Sequence, residues 1–342
     1  MRRAVVFLVA LLMACSGSDK PASPTGPVDN VSAGAIYVRA MMDLMQEHSI
    51  NRKTITWSSF RSQVLAAVPA GANIGAAFPA IRVALTLLGD NHSWYTAADG
   101  SGISGSSLIC SAPTVTGVPV TGADVGYVRV TAFSGTAAQA QAFTDSIQLA
   151  IKAADSGPVR GWIVDLRGNN GGNMWPMIAG VGPILGTGTA GYFIDPDGVA
   201  TSWGYSGTAS QLNGTVKQAA SAPHTLSSTS PRVAVLLDQR VGSSGEAVAV
   251  AFKQRANTRF FGTATCGAST ANMDYRLSDG ALLHLTESVM ADRTKQMYGG
   301  PLQPDEVIAD MSAVVPQSVA WLRASASLSA SVMPADPRRT PR

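Results

Sequence analysis

Three short stretches of this chain combine residue types and spacings that could do chemistry. Between Arg232 and Phe261 it reads RVAVLLDQRVGSSGEAVAVAFKQRANTRFF: an apolar run from Val233 to Leu237, a Gly242-Ser243-Ser244-Gly245 turn, then good helix formers from Ala247 to Phe252. A strand that enters a helix through such a turn lifts a serine hydroxyl onto a rigid corner. The unpaired first-turn N–H groups and the helix dipole favour an anion at the same place. The second stretch, Asp165-Leu166-Arg167-Gly168-Asn169-Asn170-Gly171-Gly172, follows the apolar Ile163 and Val164. Its small and turn-forming residues let backbone amides approach a ligand oxygen closely. No Lys-Ser/Thr pair follows, so a phosphate-binding P-loop is disfavoured and an oxyanion hole fits better. The third, Asp90-Asn91-His92, comes directly after Gly89, a residue suited to the left-handed end of a helix. A histidine at a helix end also has a plain structural reading, as a cation complementing the dipole.

The surrounding pattern supplies elements to position these residues. Residues 32–90 read as three helices. Ser32 caps a segment carrying Ile36, Ala40, Met41, Leu44 and Met45, and Thr56 caps one with Trp57, Phe60, Val64, Leu65 and Val68 on one face. The third carries Phe78, Ile81, Leu85 and Leu88. From Gly126 strand and helix alternate: strand 127–132, helix 136–154, strand 161–166, helix 174–185. Such alternation predicts an α/β core. Asp195-Pro196-Asp197-Gly198 and Ser278-Asp279-Gly280 mark two hairpins, 205–230 reads as a polar excursion, and helices are expected at 244–256 and 315–329. The expected division is a helical unit at 32–95, a connecting segment at 96–125, a core at 126–329 and a disordered Pro/Arg tail at 330–342.

The first residues look like a secretory signal. Arg2 and Arg3 precede an apolar run, Ala4 to Met13, that is too short to span a bilayer, and Leu12-Met13-Ala14-Cys15 resembles a bacterial lipobox. Residues 1–14 are then a signal peptide and Cys15 carries the lipid anchor. Ser16 rather than Asp at the next position points to the outer membrane, and 15–31 is a flexible tether facing the periplasm. Cleavage removes two arginines and no acids, lowering the formal charge from +3 to +1. With no basic stripe, 14% charged and 46% apolar residues, nucleic acid is not an expected partner. Four histidines without an H-E-x-x-H motif argue against a metal, and no cofactor is expected. Cys110 and Cys266 either pair in an oxidising compartment or remain separate thiols.

Taken together, LGDNHSWY, GYVRVTAFS with GWIVDLRGNNGG, and RVAVLLDQRVGSSGEAVAVAF followed by FFGTATCGAST and LSDGALLHLT resemble the tail-specific, or C-terminal processing, serine peptidase family over most of 85–308. The resemblance implies a crotonase/ClpP-like α/β spiral core beside an N-terminal three-helix unit, and a serine endopeptidase acting on peptides or protein tails. Aligning Glu246 with the glutamate that follows the family's nucleophile puts the reactive hydroxyl on Ser243 and an oxyanion-hole amide on Ser244, with Gly168 or Gly171 as the second donor. Many members use a lysine base in a Phe-Gly-Lys-Gly segment, where this chain has Thr265-Cys266-Gly267-Ala268. A PDZ-less branch, similar to nisin-resistance protease and the tricorn protease core, carries a histidine in Gly-Asp-x-His instead, and Gly89 to His92 matches it. His92 is therefore the expected general base and then acid, since neutral imidazole with a pKa of about 6.5 can deprotonate an alcohol near neutrality. A formed site would bring His92 within hydrogen-bond reach of Ser243. Candidates to orient its ring are Asp90, Ser93, Asp292 and Gln303. Asp165 and Arg167 read as a structural pair, His48 and His284 as structural or surface. About 30 residues between Tyr95 and Gly126 are too few for a PDZ domain, so specificity must come from the groove between helical unit and core. The loss of the family lysine leaves one alternative, a non-catalytic peptide- or ligand-binding lipoprotein that kept the peptidase core.

Overall fold

A computed structural model describes residues 31–115 and 117–324. The expected signal peptide, the lipidation site Cys15, the tether through Asn30 and everything from residue 325, including the tail, lie outside the described residues. No described helix is long and apolar enough to cross a membrane.

The Ser32 hydroxyl accepts the Ala35 N–H at 3.2 Å and starts α1 (Ala33–His48). Two further helices, α2 (Trp57–Ala66) and α3 (Phe78–Leu87), pack their apolar faces on it; Thr56 precedes α2 without a side-chain cap bond. Tyr37, Val38, Met41, Met42 and Met45 of α1 are all buried, each worth about 1.5–3 kcal/mol if removed from water. The helical unit is not a separate body. Its cluster includes Leu283 and Leu285, and the strand that follows it, β1 (Trp94–Thr96), pairs with β2 (Gly102–Ser104) on one side and with a core strand on the other.

The core consists of two sheets. One is parallel and five-stranded, built from β3 (Val125–Arg129), β4 (Gly161–Asp165), β9 (Arg232–Leu237), β10 (Thr258–Gly262) and β13 (Glu306–Val307) in the order β13-β10-β9-β4-β3. Its central strands β4 and β9 are apolar and buried along most of their length because both faces are covered. Trp162, Val164, Val233 and Val235 meet α4 (Ala137–Ala154), α5 (Met174–Leu185) and α6 (Ser244–Phe252), while Ile163, Ala234 and Leu236 meet α7 (Val314–Arg323). The other sheet, of eight strands, runs β2-β1-β12-β5-β6-β7-β8, with β11 (Thr270–Arg276) also paired to β12 (Leu282–Asp292). Here β5 (Gly188–Ile194) and β6 (Ala200–Tyr205) form the expected hairpin around Asp195 to Gly198. The supposed polar excursion instead contains β7 (Ala209–Leu212) and β8 (Thr215–Ala219), joined at Asn213-Gly214 with φ of 46° and 78°. Asn-Gly is a strong hairpin turn. It is masked by polar flanks, since β8 is mostly exposed. Between Thr96 and Val125 the described residues hold only the three-residue β2.

Candidate active site

The turn from β9 into α6 is held by backbone contacts to the loop after β4. Gly242 donates its N–H to the Asn169 carbonyl at 3.0 Å, and Gly245 lies so close to that carbonyl that a Cβ would sit 2.3 Å from it. Only glycine permits that approach. Ser243, between them, has φ 52° and ψ −122°, a conformation that costs an L-residue roughly 1–3 kcal/mol and persists only where its surroundings over-determine it. Those surroundings centre on Glu246, a fully buried carboxylate. Its Oε2 accepts the Ser243 N–H at 3.1 Å, and its Oε1 accepts the Gly267 N–H at 2.9 Å and the Thr265 hydroxyl. Burial pushes its pKa up to about 7, opposed by those donors and by the Ala268 amide.

The Ser243 hydroxyl, half-buried at the N-terminus of α6, faces the Glu246 N–H as the other half of a capping box, while its own proton has no acceptor and the Ser244 N–H no partner among the described residues. The Ser244 hydroxyl donates to the Gly172 carbonyl. Gly171 packs directly on the turn: a Cβ there would lie 2.8 Å from the Ser243 Cβ and 3.1 Å from the Ser244 nitrogen. Its amide, however, is committed to the Asn169 side chain at 3.0 Å, and the Gly168 amide to the buried Asp238 carboxylate at 3.1 Å. Neither of the two glycine amides expected as the second anion donor is open in this structure. Asn169 and Asp238 have taken them because both side chains are buried and need donors. The next amide along, that of the exposed Gly172, donates to no partner among the described residues. Its free N–H was not singled out from sequence, where all three glycines look alike.

His92 is fixed from both sides. Asp90 Oδ1 accepts the N–H groups of His92 at 2.9 Å and Ser93 at 2.6 Å, Ser93 Oγ donates to Asp90 Oδ2, and the Asn272 side-chain amide donates to the His92 carbonyl at 2.8 Å. Asp90 and Ser93 thus hold the loop rather than the ring. The ring partner is Thr270, whose Oγ1 lies 2.8 Å from Nδ1, leaving Nε2 without a partner among the described residues. Asp292 bonds Thr294, Gln296 and Tyr298, and the Gln303 carbonyl accepts the Lys253 ammonium; neither bonds the imidazole. Thr270 carries no local signal, being 178 residues from His92. Burial lowers the His92 pKa to about 4 against the opposing pull of Asp90, so the ring is neutral at pH 7.

Ser243 and His92 approach the segment 265–270 from opposite ends. Glu246 joins Ser243 to Gly267, and three residues further on Thr270 holds His92, a span of about 10 Å of extended chain at most. No hydrogen bond joins the two side chains directly, so the close reach expected from sequence is not present here. Free-enzyme contacts of this kind often tighten only on the substrate. A disulfide between Cys110 and Cys266 sits against the turn, with Cys266 Cβ 3.4 Å and Cys110 Sγ 3.9 Å from the position of a Gly242 Cβ. Elsewhere Arg167 grips Asp165 through Nε at 2.9 Å and Nη2 at 2.7 Å, as a structural pair. His48 stacks on Tyr275, and His284 bonds Asp274 and stacks on Trp94. No metal-binding cluster occurs among the described residues.

Comparison with known proteins places this architecture among peptidases. The model of Peptidase family S41 matches residues 124–308. The nisin-resistance protein of Lactococcus lactis subsp. lactis is 26% identical over 274 residues, covering 79% of this chain and 81% of that protein. Among solved structures, a lipoprotein from Streptococcus agalactiae is similar with a TM-score of 0.67 at 22% identity, over 85% of this chain and 96% of that one. The photosystem II D1 C-terminal processing protease is similar with a TM-score of 0.57 at 16% identity, over 84% and 97%. These two structures share the fold.

Proposed function

Because this chain belongs to peptidase family S41 and is a serine peptidase, we propose that it is an endopeptidase working through a Ser243–His92 pair, with Ser244 supplying one oxyanion donor. Ser243 Oγ attacks the peptide carbonyl as His92 Nε2 takes its proton. Nδ1 donates to Thr270 Oγ1, which keeps the lone pair on Nε2. The C=O becomes an oxyanion at the start of α6, facing the unpaired Ser244 N–H and, from the glycine loop, the Gly172 N–H. His92 returns the proton to the leaving amine, the C–N bond breaks, and water hydrolyses the acyl-enzyme with His92 again as base. Gly168 and Gly171 shape the loop in this reading rather than donate.

The observation that carries it is the strained backbone of Ser243, φ 52° and ψ −122°, which presents a hydroxyl whose proton has no acceptor among the described residues beside an unpaired amide at a helix N-terminus. Such strain concentrates at functional sites. The test is cleavage of casein and of a fluorogenic peptide library, together with labelling by a serine-reactive fluorophosphonate. Ser243→Ala and His92→Ala should each lower kcat/KM by at least about 10³-fold while leaving the fold intact. Cleavage that survives Ser243→Ala would refute the assignment.

The same reading places the enzyme in the bacterial cell envelope, lipid-anchored at Cys15 and facing the periplasm from the outer membrane. Its support is the Leu12-Met13-Ala14-Cys15 run after Arg2 and Arg3. Metabolic labelling with a fatty-acid analogue should mark the wild type and not Cys15→Ser, which should partition to the soluble fraction; a labelled Cys15→Ser would exclude the anchor.

A further inference from the structure

A hollow beside His92 has no part in the steps above. It has a volume of about 290 Å³, and its walls include His92, Trp94, Gly102, Ile103 and Ser104. The hollow follows from strand pairing. Trp94 of β1 lies between His284 of β12 and Ser104 of β2 on one face of the sheet, and Gly102 occupies the next position of β2 on that face, opposite Thr96. On one side the indole is covered by the His284 ring, with centroids 4.3 Å apart and planes 17° from parallel. On the other it meets only a hydroxymethyl group and a glycine, which leaves space, and the His92 ring borders that space with its centroid 5.9 Å from the indole. At about 30 Å³ per water the volume equals about ten waters, suited to one large side chain.

Its chemistry is uncharged. No lysine, arginine, aspartate or glutamate lines it, and the bordering imidazole is neutral at pH 7. The Asp90 carboxylate behind the loop is already occupied by His92, Ser93 and Thr286. A charged side chain entering would lose water without gaining a partner. The rim is also held in place. Gly105 packs against the Leu85 and Thr86 backbone, where a Cβ would lie 2.4 Å from Leu85, and the chain then runs to Cys110, whose disulfide to Cys266 abuts Gly242. One covalently fastened strap therefore leads from the hollow to the serine turn.

We propose that this hollow is a specificity subsite that receives an aliphatic or aromatic side chain of the substrate, next to the scissile bond, with Trp94 as its wall and Ser104 setting its depth. The assignment rests on the Ser243–His92 reading, because that reading makes His92 the neighbour of the bond being cut.

The test is a set of fluorogenic peptides identical except at single positions up to three residues from the scissile bond, carrying Leu, Phe, Ala, Lys or Asp. At one position the wild type should favour Leu or Phe over Asp in kcat/KM by about 10- to 100-fold. Ser104→Tyr, which fills the hollow, and Trp94→Ala, which removes its wall, should bring that ratio to about threefold or less, whereas Trp94→Phe should keep most of it. A merely structural disturbance would lower all peptides together and leave the ratio standing. The same peptides are titrated against Ser243→Ala, with and without Ser104→Tyr, by fluorescence anisotropy. Selective binding of Leu and Phe peptides that Ser104→Tyr abolishes, without any turnover by the wild type, would remove the catalytic reading and keep the subsite. A ratio unmoved by Ser104→Tyr, a preference for Lys over the indole face, or neither selective turnover nor selective binding would overturn the subsite.

Discussion

Gly171→Ala probes the packing of the serine turn most directly. An alanine Cβ at this position would lie 2.8 Å from the Ser243 Cβ and 3.1 Å from both the Gly242 oxygen and the Ser244 nitrogen. Carbon atoms rest at about 3.5–4.0 Å, so relief requires a displacement of about 0.7 Å or more. The Gly242 and Ser244 atoms close the other directions, so Ser243 must move and take its hydroxyl with it. A 1 Å misplacement of a reacting group costs about 10²-fold. The expected fall in kcat/KM is therefore about 10- to 100-fold. Stability should fall as well: φ is +110°, costing about 1–2 kcal/mol for an L-residue, and overpacking adds about 1–3 kcal/mol. Gly188 offers a matched control, with φ +114° and nothing within 4 Å of its Cβ position. Gly188→Ala should show the backbone cost alone, a drop in Tm of about 2–8 °C, with unchanged activity. The measurements are thermal unfolding and peptide cleavage on both variants. If Gly171→Ala loses no more stability than Gly188→Ala and retains activity within twofold of wild type, the contact between this glycine and the serine turn does not control the site.

Three further outcomes are expected. Thr270→Val should lower kcat about 10-fold with little change in KM, because the imidazole loses its Nδ1 partner, and Thr270→Ser should restore it; equal rates in both variants would remove Thr270 from the site. The acid limb of kcat/KM should lie near pH 4 rather than 6.5, since burial keeps His92 neutral down to that value. The linkage runs in the same direction: the folded pKa is below the unfolded one, so a stability penalty from His92 develops as pH falls from 6.5 through 4 and is absent above 6.5. A limb near pH 6.5 would show an exposed ring. Replacing Cys110 and Cys266 by serine opens a cross-link spanning 156 residues, worth about 5 kcal/mol by chain entropy. The variant should melt lower and cleave more slowly as the strap over Gly242 loosens, and unchanged melting and activity would show the bond to be dispensable.

Local chemistry made much of this site legible before folding was considered. The Gly-Ser-Ser-Gly turn, the Gly-Asn-Asn-Gly-Gly loop and His92 after Gly89 each announce themselves within eight residues, because tight turns and helix ends demand particular residue types. The parallel strands β3, β4 and β9 are equally plain as largely apolar runs, whereas β10 and β13 at the sheet's other side are short and carry Thr258, Arg259 and Glu306, so they give no such signal. Other features depend on residues far apart in the chain. Thr270 reaches His92 only because β11 and β1 both pair with β12, and no periodicity reports which strands become neighbours. The disulfide similarly depends on where a polar connecting segment is laid. Three glycines of one loop offer identical amides in sequence, and only the burial of Asp238 and Asn169 determines that Gly168 and Gly171 are consumed while Gly172 stays open. Residue type thus determined which groups this protein has for its chemistry. Long-range strand register and the need of buried polar atoms for partners decided which of them face the same space.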